Sequence, residues 1–195
     1  NVKIYFSEDY VYTKDTYEHD EGFISELPYI NIKNDNVMKI NSDLISSYHM
    51  MTELKEEYMK YEYFINDKIL SLVVKFYSLD SYDTYANISI YNIDIESGNV
   101  LSNNDLLKRL SVSEDDVSTT IENGIRAYYD YEKDHGYYNG DFDSYLNDTA
   151  SLPILDDCSY YITRNGVYAY KEIILDGEYY PYKGISRHRI IKNIY

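Results

Sequence analysis

A chain of 195 residues, 44% hydrophobic and 27% charged, is long enough to bury a core without disulfide or metal staples. With 34 acidic against 18 basic residues its formal net charge is −16. That balance argues against binding nucleic acid or lying on an anionic membrane, both of which need clustered Lys and Arg, and leaves room for a basic protein partner or a divalent cation.

Cys158 is the single cysteine, which rules out an intramolecular disulfide and a multi-cysteine metal site. No run reaches the roughly 18 apolar residues that read as a membrane span. No secretory signal pattern is present, and the chain opens on Asn1 without a Met. That start is the one expected of a processed protein, or of an ectodomain preceded by a signal or anchor. Tyrosine supplies 27 residues against 5 Phe and no Trp. AT-rich codon usage is the bland source of that excess. Physically it implies wet core edges, half-exposed sheet faces or a tyrosine-lined binding surface, because a buried ring still seeks a partner for its hydroxyl.

Taken in order, Val2–Phe6 and Tyr10–Thr13 read as short strands, and 14–22 (KDTYEHDEG) as an acidic loop. Phe23–Ile32 carries Pro28, which marks it as a bent or edge strand. Ile40, Leu44, Tyr48, Met51, Leu54, Tyr58 and Tyr61 recur at steps of three and four, the period of a helix laying one stripe on a sheet. Asp35 or Asn36 can cap its start. Lys68–Tyr77 is β-branched and aromatic throughout and reads as a central strand, joined by the polar turn Ser78–Asp83 to an alternating strand over Thr84–Ile95. Gly98 marks a tight turn.

A short helix is expected over Asn103–Leu110 and a second long one after Ser113, with Val117, Ile121, Ile125 and Tyr128 as its buried stripe. Residues 130–148 read as a flexible acidic loop, or as a helix continuation that breaks near Gly136. Ser159–Thr163 and Val167–Ile174 flank Arg164–Asn165–Gly166, a hairpin signal. Asp176–Gly177 is a further turn before Glu178–Tyr182, and a basic segment closes the chain over Ile185–Tyr195. Helix does not alternate regularly with strand. The expected class is therefore α+β, a mostly antiparallel sheet with two main helices packed on one face.

Several of these segments together resemble the DUF3298 family with its DUF4163-type N-terminal region. LPYINIKNDNVMKINSDL (27–44) resembles the family's proline-led strand and the helix with an Ile-Asn pair, here Ile40–Asn41. ILSLVVKFYS (69–78) is similar to its central strand. NIDIESGNVLSNNDLL (92–107) matches at Gly98, Leu101, Asp105 and Leu106, and CSYYITRNGVYAYKE (158–172) is similar to its hairpin. The likeness covers residues 27–185, with a loose ending at EYYPYKGI. The family includes RsiV-like anti-sigma factor ectodomains and a non-catalytic region of some peptidoglycan deacetylases. The resemblance implies a bacterial domain outside the cytoplasm, secreted or membrane-anchored. It also implies one extracytoplasmic domain over 1–195, divisible into lobes at 1–66 (DUF4163-like) and 67–195 (DUF3298-like). One branch recognises lysozyme, a basic protein.

No catalytic motif appears: no GxSxG, no Walker loop, no dinucleotide fingerprint and no HExxH. His19, His49, His135 and His188 are scattered, His49 reading as a surface or helix-edge residue and His188 as part of a solvated basic patch between Arg187 and Arg189. Cys158 reads as core filler, since Asp156 and Asp157 beside it disfavour a thiolate. Glu114, Asp115 and Asp116 suit the first turn of a helix. Asp141, Asp143 and Asp148 could hold Ca²⁺ through oxygen ligands, although they lack the EF-hand glycine and terminal glutamate. Tyr128–Tyr145 combines rings and acids as either a recognition surface, sugars included, or a mobile loop. The expectation is thus a non-catalytic binding or sensory domain of the cell envelope. Its partner would be a basic protein such as lysozyme or a wall glycan, with no cofactor, no catalytic residues and an undetermined metal set. The alternatives are a wall-glycan hydrolase or esterase using clustered carboxylates, and a structural module beside an anchor or catalytic domain.

Overall fold

The computed structural model describes residues 10–79, 85–149, 151–155, 157–175 and 186–193, with backbone alone at 85–86, 174–175 and 186–193. These residues form two compact units. The first runs to Ser102 and takes in Tyr161–Arg164; the second holds Asn103–Tyr160 and the residues from Asn165 onward. The expected strand at Val2–Phe6 and the turns around Asp176–Gly177, Glu178–Tyr182 and Gly184 lie outside the described residues, as does most of the Ser78–Asp83 link.

The first unit opens with an antiparallel pair, β1 (Val11–Glu18) and β2 (Ile24–Ile30). The expected acidic loop at 14–22 is therefore mostly strand. Pairing with β2 carries β1 through to Glu18, and the turn shrinks to His19–Gly22, with Gly22 at φ +83. Pro28 sits opposite Thr13, beside the place where the register slips between Thr13 and Asp15. A residue with no N–H to donate is tolerated where the ladder is already broken.

Helix α1 (Asp35–Leu54) follows. Its cap is Asn34 rather than Asp35 or Asn36: Asn34 keeps an extended backbone, and its Oδ1 accepts the Asn36 N–H at 2.8 Å. The helix also stops earlier than its apolar spacing suggests. Lys55 turns left-handed at φ 55 and donates its N–H to the Met51 carbonyl. Leu54 is 60% exposed, and Tyr58 and Tyr61 belong instead to strand β3 (Glu57–Asn66). A step of three or four residues does not distinguish a helix from a Tyr-rich strand that begins two residues after the cap; ten backbone pairs with the next strand decide for the strand.

That neighbour is β4 (Ile69–Ser78), which lies between β3 and β5 (Tyr85–Asp94) in an antiparallel sheet, in the central position its composition predicts. One face presents Met59, Leu70, Leu72, Val74 and Ile93 to the buried stripe of α1: Val37, Ile40, Leu44, Tyr48 and Met51. Removing each aliphatic chain from water is worth about 1.5–3 kcal/mol. On the other face Ser71 accepts the Ile162 N–H at 3.0 Å and donates to Asn92 Oδ1, which ties Tyr161–Arg164 into this unit.

Two polar contacts fix α1 on its sheets. Asn41, 4% exposed, accepts the Ile30 N–H and donates to the Ile30 carbonyl, both at 2.9 Å. Asn34, besides capping the helix, donates to the Ser97 carbonyl at 3.0 Å. The turn it meets is closed by Asp94, which accepts the Ser97 N–H and hydroxyl. Gly98 is required there twice over: φ is +71, and a Cβ would lie 2.5 Å from the Asn34 Cβ.

The second unit contains α2 (Asn103–Arg109), α3 (Glu114–Asp134) and α4 (Phe142–Asp148). It also contains β7 (Gly166–Leu175) and β8 (Ser186–Asn193), paired antiparallel, and the beginning of β6 (Ser159–Thr163). The third sheet has the order β6-β7-β8, with Arg164–Asn165 turning the β6–β7 hairpin. α3 packs on β7 and β8. Its stripe is Val117, Ile121, Gly124, Ile125, Tyr129 and Glu132; the last ring is Tyr129, buried, and not the half-buried Tyr128. The α+β class, antiparallel sheets and two long helices packed on sheet are what the chain adopts, with the strands shared among three sheets.

Truncating Asn41 to Ala leaves a buried N–H and a buried C=O without partners. The expected loss is about 3 kcal/mol, read as a lower urea midpoint at unchanged slope. Gly98→Ala is expected to cost more than about 1 kcal/mol in the same titration, through its backbone angle and the contact with Asn34.

Candidate functional site

An open cleft of about 860 Å³ lies in the first unit, at the turn between β3 and β4. Tyr10, Tyr63, Phe64, Ile65 and Ile95 give it apolar and aromatic walls, and Asp67, Lys68 and Glu96 give it charge. Alternation along β3 sends Tyr63 and Ile65 toward the face that α1 covers and Phe64 toward the other. Both Tyr63 and Ile65 pack on the buried cluster, so the cleft walls rest on the core. The turn itself has Asp67 in the left-handed region at φ 53, which an aspartate tolerates better than most residues.

Backbone bonds hold the rim. The Ile95 N–H donates to the Lys68 carbonyl at 2.8 Å, and the Asn31 N–H donates to the Tyr10 carbonyl at 2.8 Å. Lys68 Nζ stands 2.7 Å from Glu96 Oε1, with both groups more than half exposed. The hydrogen bond and charge of Glu96 hold the Lys68 ammonium above its ordinary range. An ion pair this wet adds little stability, and its effect is to set the position of two charges at the cleft mouth. No Ser, Thr, Cys or His is among the described lining residues, and the groups the cleft offers to a ligand are flat rings, the Asp67 and Glu96 carboxylates and the Lys68 ammonium.

Sites expected from sequence are dispersed. Cys158 is 4% exposed, its sulfur 3.5 Å from the Ile154 carbonyl and its own carbonyl accepting the Asn103 side chain. Burial, and then the Cys158 sulfur beside it, pushes the Tyr160 phenol well up. His49 and His135 are exposed on α1 and after α3, and His188 lies on β8, where the backbone alone is described. Glu114, Asp115 and Asp116 occupy the first turn of α3. Asp141 caps α4 by accepting the Ser144 N–H at 2.9 Å, a bond that holds its carboxyl below the usual carboxylate range. Asp148 takes the Tyr138 hydroxyl at 2.6 Å, and Asp143 sits in the first turn of α4. Among the described residues no group of three or more His, Cys, Asp or Glu is placed to hold a metal ion.

Through Tyr128–Tyr145 the chain follows the second reading of residues 130–148, a helix continuation that breaks near Gly136. α3 continues to Asp134 and ends before Gly136, and the rings that follow turn inward. Tyr129, Tyr138 and Tyr145 are buried and meet edge to face at 5.0–6.2 Å, with Phe142 5.4 Å from Tyr129. Arg126 covers the Phe142 ring at 3.7 Å, and Lys133 donates to the Tyr129 hydroxyl at 2.7 Å. These rings form a small aromatic core, while Tyr131 stays 50% exposed; Asp130, Asp134 and Asp143 face water and Glu132 is buried. The cleft residues carried no such signal, because Tyr10 and Tyr63 are far apart in the chain and each reads locally as an ordinary strand residue.

No family model, no curated protein and no solved structure matches the chain.

Among the described side chains His19 is the buried histidine, 3% exposed, with Nε2 2.8 Å from the Ser25 hydroxyl, which also accepts the Met59 N–H. Burial lowers its pKa from 6.5, against the pull of Glu21. A depressed histidine contributes stability that is full above the unfolded value and is lost as pH falls toward the folded one. The urea midpoint is therefore expected to drop as pH falls below 6.5, and His19→Gln to flatten that limb.

Proposed function

We propose that this chain is a non-catalytic binding domain of the bacterial cell envelope, acting outside the cytoplasm, and that its cleft takes a wall glycan. The observation that carries the reading is the lining of the cleft: Tyr63, Phe64 and Tyr10 beside Asp67, Glu96 and Lys68. A sugar ring presents an apolar C–H face that lies flat on an aromatic ring, and hydroxyls that donate to carboxylates. The family-like order of segments over residues 27–185 supports the location. The pairing of Glu96 with Lys68, which leaves Asp67 as the one lining carboxylate outside that ion pair, supports binding over turnover.

A net charge of −16 favours a second ligand class, a basic protein such as lysozyme, steered by long-range attraction. The hydrolase alternative would draw on Asp67 and Glu96, of which Glu96 is ion-paired to Lys68.

Calorimetric titration with soluble wall oligosaccharides and with lysozyme separates these readings. The glycan is expected to bind, and Tyr63→Ala and Phe64→Ala each to weaken it about tenfold while circular dichroism shows the variant folded, Tyr63→Ala with a lowered urea midpoint because its ring also packs on the core. Release of new reducing ends would replace binding by hydrolysis. Heat with lysozyme alone, untouched by either variant, would move the function to the acidic surface.

A further inference from the structure

We propose that a second site, the groove between the C-terminal half of α1 and the β5 side of its sheet, docks an extended, basic segment of a partner protein. The groove measures about 360 Å³ and is lined by Met50, Met51 and Leu54 from α1, Phe76 from β4, and Asn87 and Ser89 from β5. Met51 is buried and forms part of the floor, whereas Met50 and Leu54 are each 60% exposed. Two large apolar side chains standing in water beside a concave apolar floor mark a contact surface more than a solvated helix face. Methionine suits such a surface, because its unbranched, polarisable chain repacks against different partners.

Charge selects the occupant. Glu56 and Glu57 line the groove, Glu53 is exposed on the adjoining turn of α1, and no Lys or Arg is among the lining residues. The nearest described cation in sequence, Lys55, is 3.6 Å from Asp20. An apolar floor with an acidic rim fits a segment that carries both apolar and basic side chains. It disfavours a second copy of this chain, which at −16 repels its like.

The fold selects the conformation. β5 closes its sheet on this side, and among the described residues its outer edge joins no ladder from Asn87 to Tyr91. On that edge the Ile88 N–H is held by Asn87 Oδ1 at 2.8 Å, so a strand laid beside β5 would exchange this side-chain bond for a ladder bond, pair the remaining edge groups and send alternate side chains over Asn87 and Ser89 into the groove.

The test is fluorescence anisotropy of a labelled peptide alternating leucine and lysine, titrated with the full chain. Serine–lysine and leucine–glutamate peptides serve as controls. The leucine–lysine peptide is expected to bind at least about tenfold more tightly than either control. Met50→Ser with Leu54→Ser is expected to remove that advantage at an unchanged urea midpoint. Glu56→Gln with Glu57→Gln is expected to weaken binding and to reduce its salt dependence. Tyr63→Ala, which tests the glycan cleft, should leave it unchanged. Equal binding of the serine–lysine peptide, or groove variants that bind like the parent, would overturn the proposal. So would self-association of the chain that disappears with Met50→Ser and Leu54→Ser.

Discussion

The fold of the first unit depends on one side chain doing the work of a neighbouring strand. Ile30 ends β2 with an N–H and a C=O facing the helix, and Asn41 satisfies both from α1. The amide suits this geometry because it carries a donor and an acceptor side by side, the same pair that a backbone offers. In a dry interior the bond is stronger than in water, and the cost of missing it rises equally. Hydrophobic contact alone would let α1 slide or rotate by a fraction of a turn. A paired amide fixed at 2.9 Å on both atoms sets its register.

From that register the position of the cleft follows. The Asn34 cap is brought against the turn after β5, where Gly98 leaves room for the Asn34 side chain. That turn leads from Ile95 and Glu96, which stand at the cleft rim beside Lys68. The C-terminal half of the same helix is left standing over Phe76 and β5, which opens the acidic-rimmed groove. Both candidate surfaces of the first unit are therefore consequences of where one helix is pinned.

Tyrosine serves three physical roles here. In the second unit Tyr129, Tyr138 and Tyr145 replace the Leu and Phe of an ordinary core and lie edge to face. In the first unit Tyr58 stacks between Phe23 and Tyr77 at 4.7 and 4.9 Å. Tyr10 and Tyr63 remain at the cleft, half-buried. Tyr48 shows the cost of the strategy. Its ring is 3% exposed in the α1 stripe and its hydroxyl has no hydrogen-bond partner among the described residues, and burial, with Asp15 and Tyr17 adding to it, pushes the phenol up to about 12.

Sequence alone determined the elements whose signal is local. The period of α1 through Met51, the apolar run of β4, the Gly98 turn and the β6–β7 hairpin each depend on residues a few positions apart, and each stands where its pattern placed it. Tertiary structure decided what depends on residues brought together from a distance. It ended α1 at Lys55, because β3 gains a ladder with β4 that a longer helix would forfeit. It turned Tyr129, Tyr138 and Tyr145 inward and left Tyr131 at the surface, since a Tyr-rich, acidic composition reads alike as a wet surface and as a core. It assembled the cleft from Tyr10, Tyr63 and Glu96, three positions with no shared spacing. Periodicity records which face of an element is buried. Which buried faces meet is settled by chain folding, and the candidate surfaces lie at those meetings.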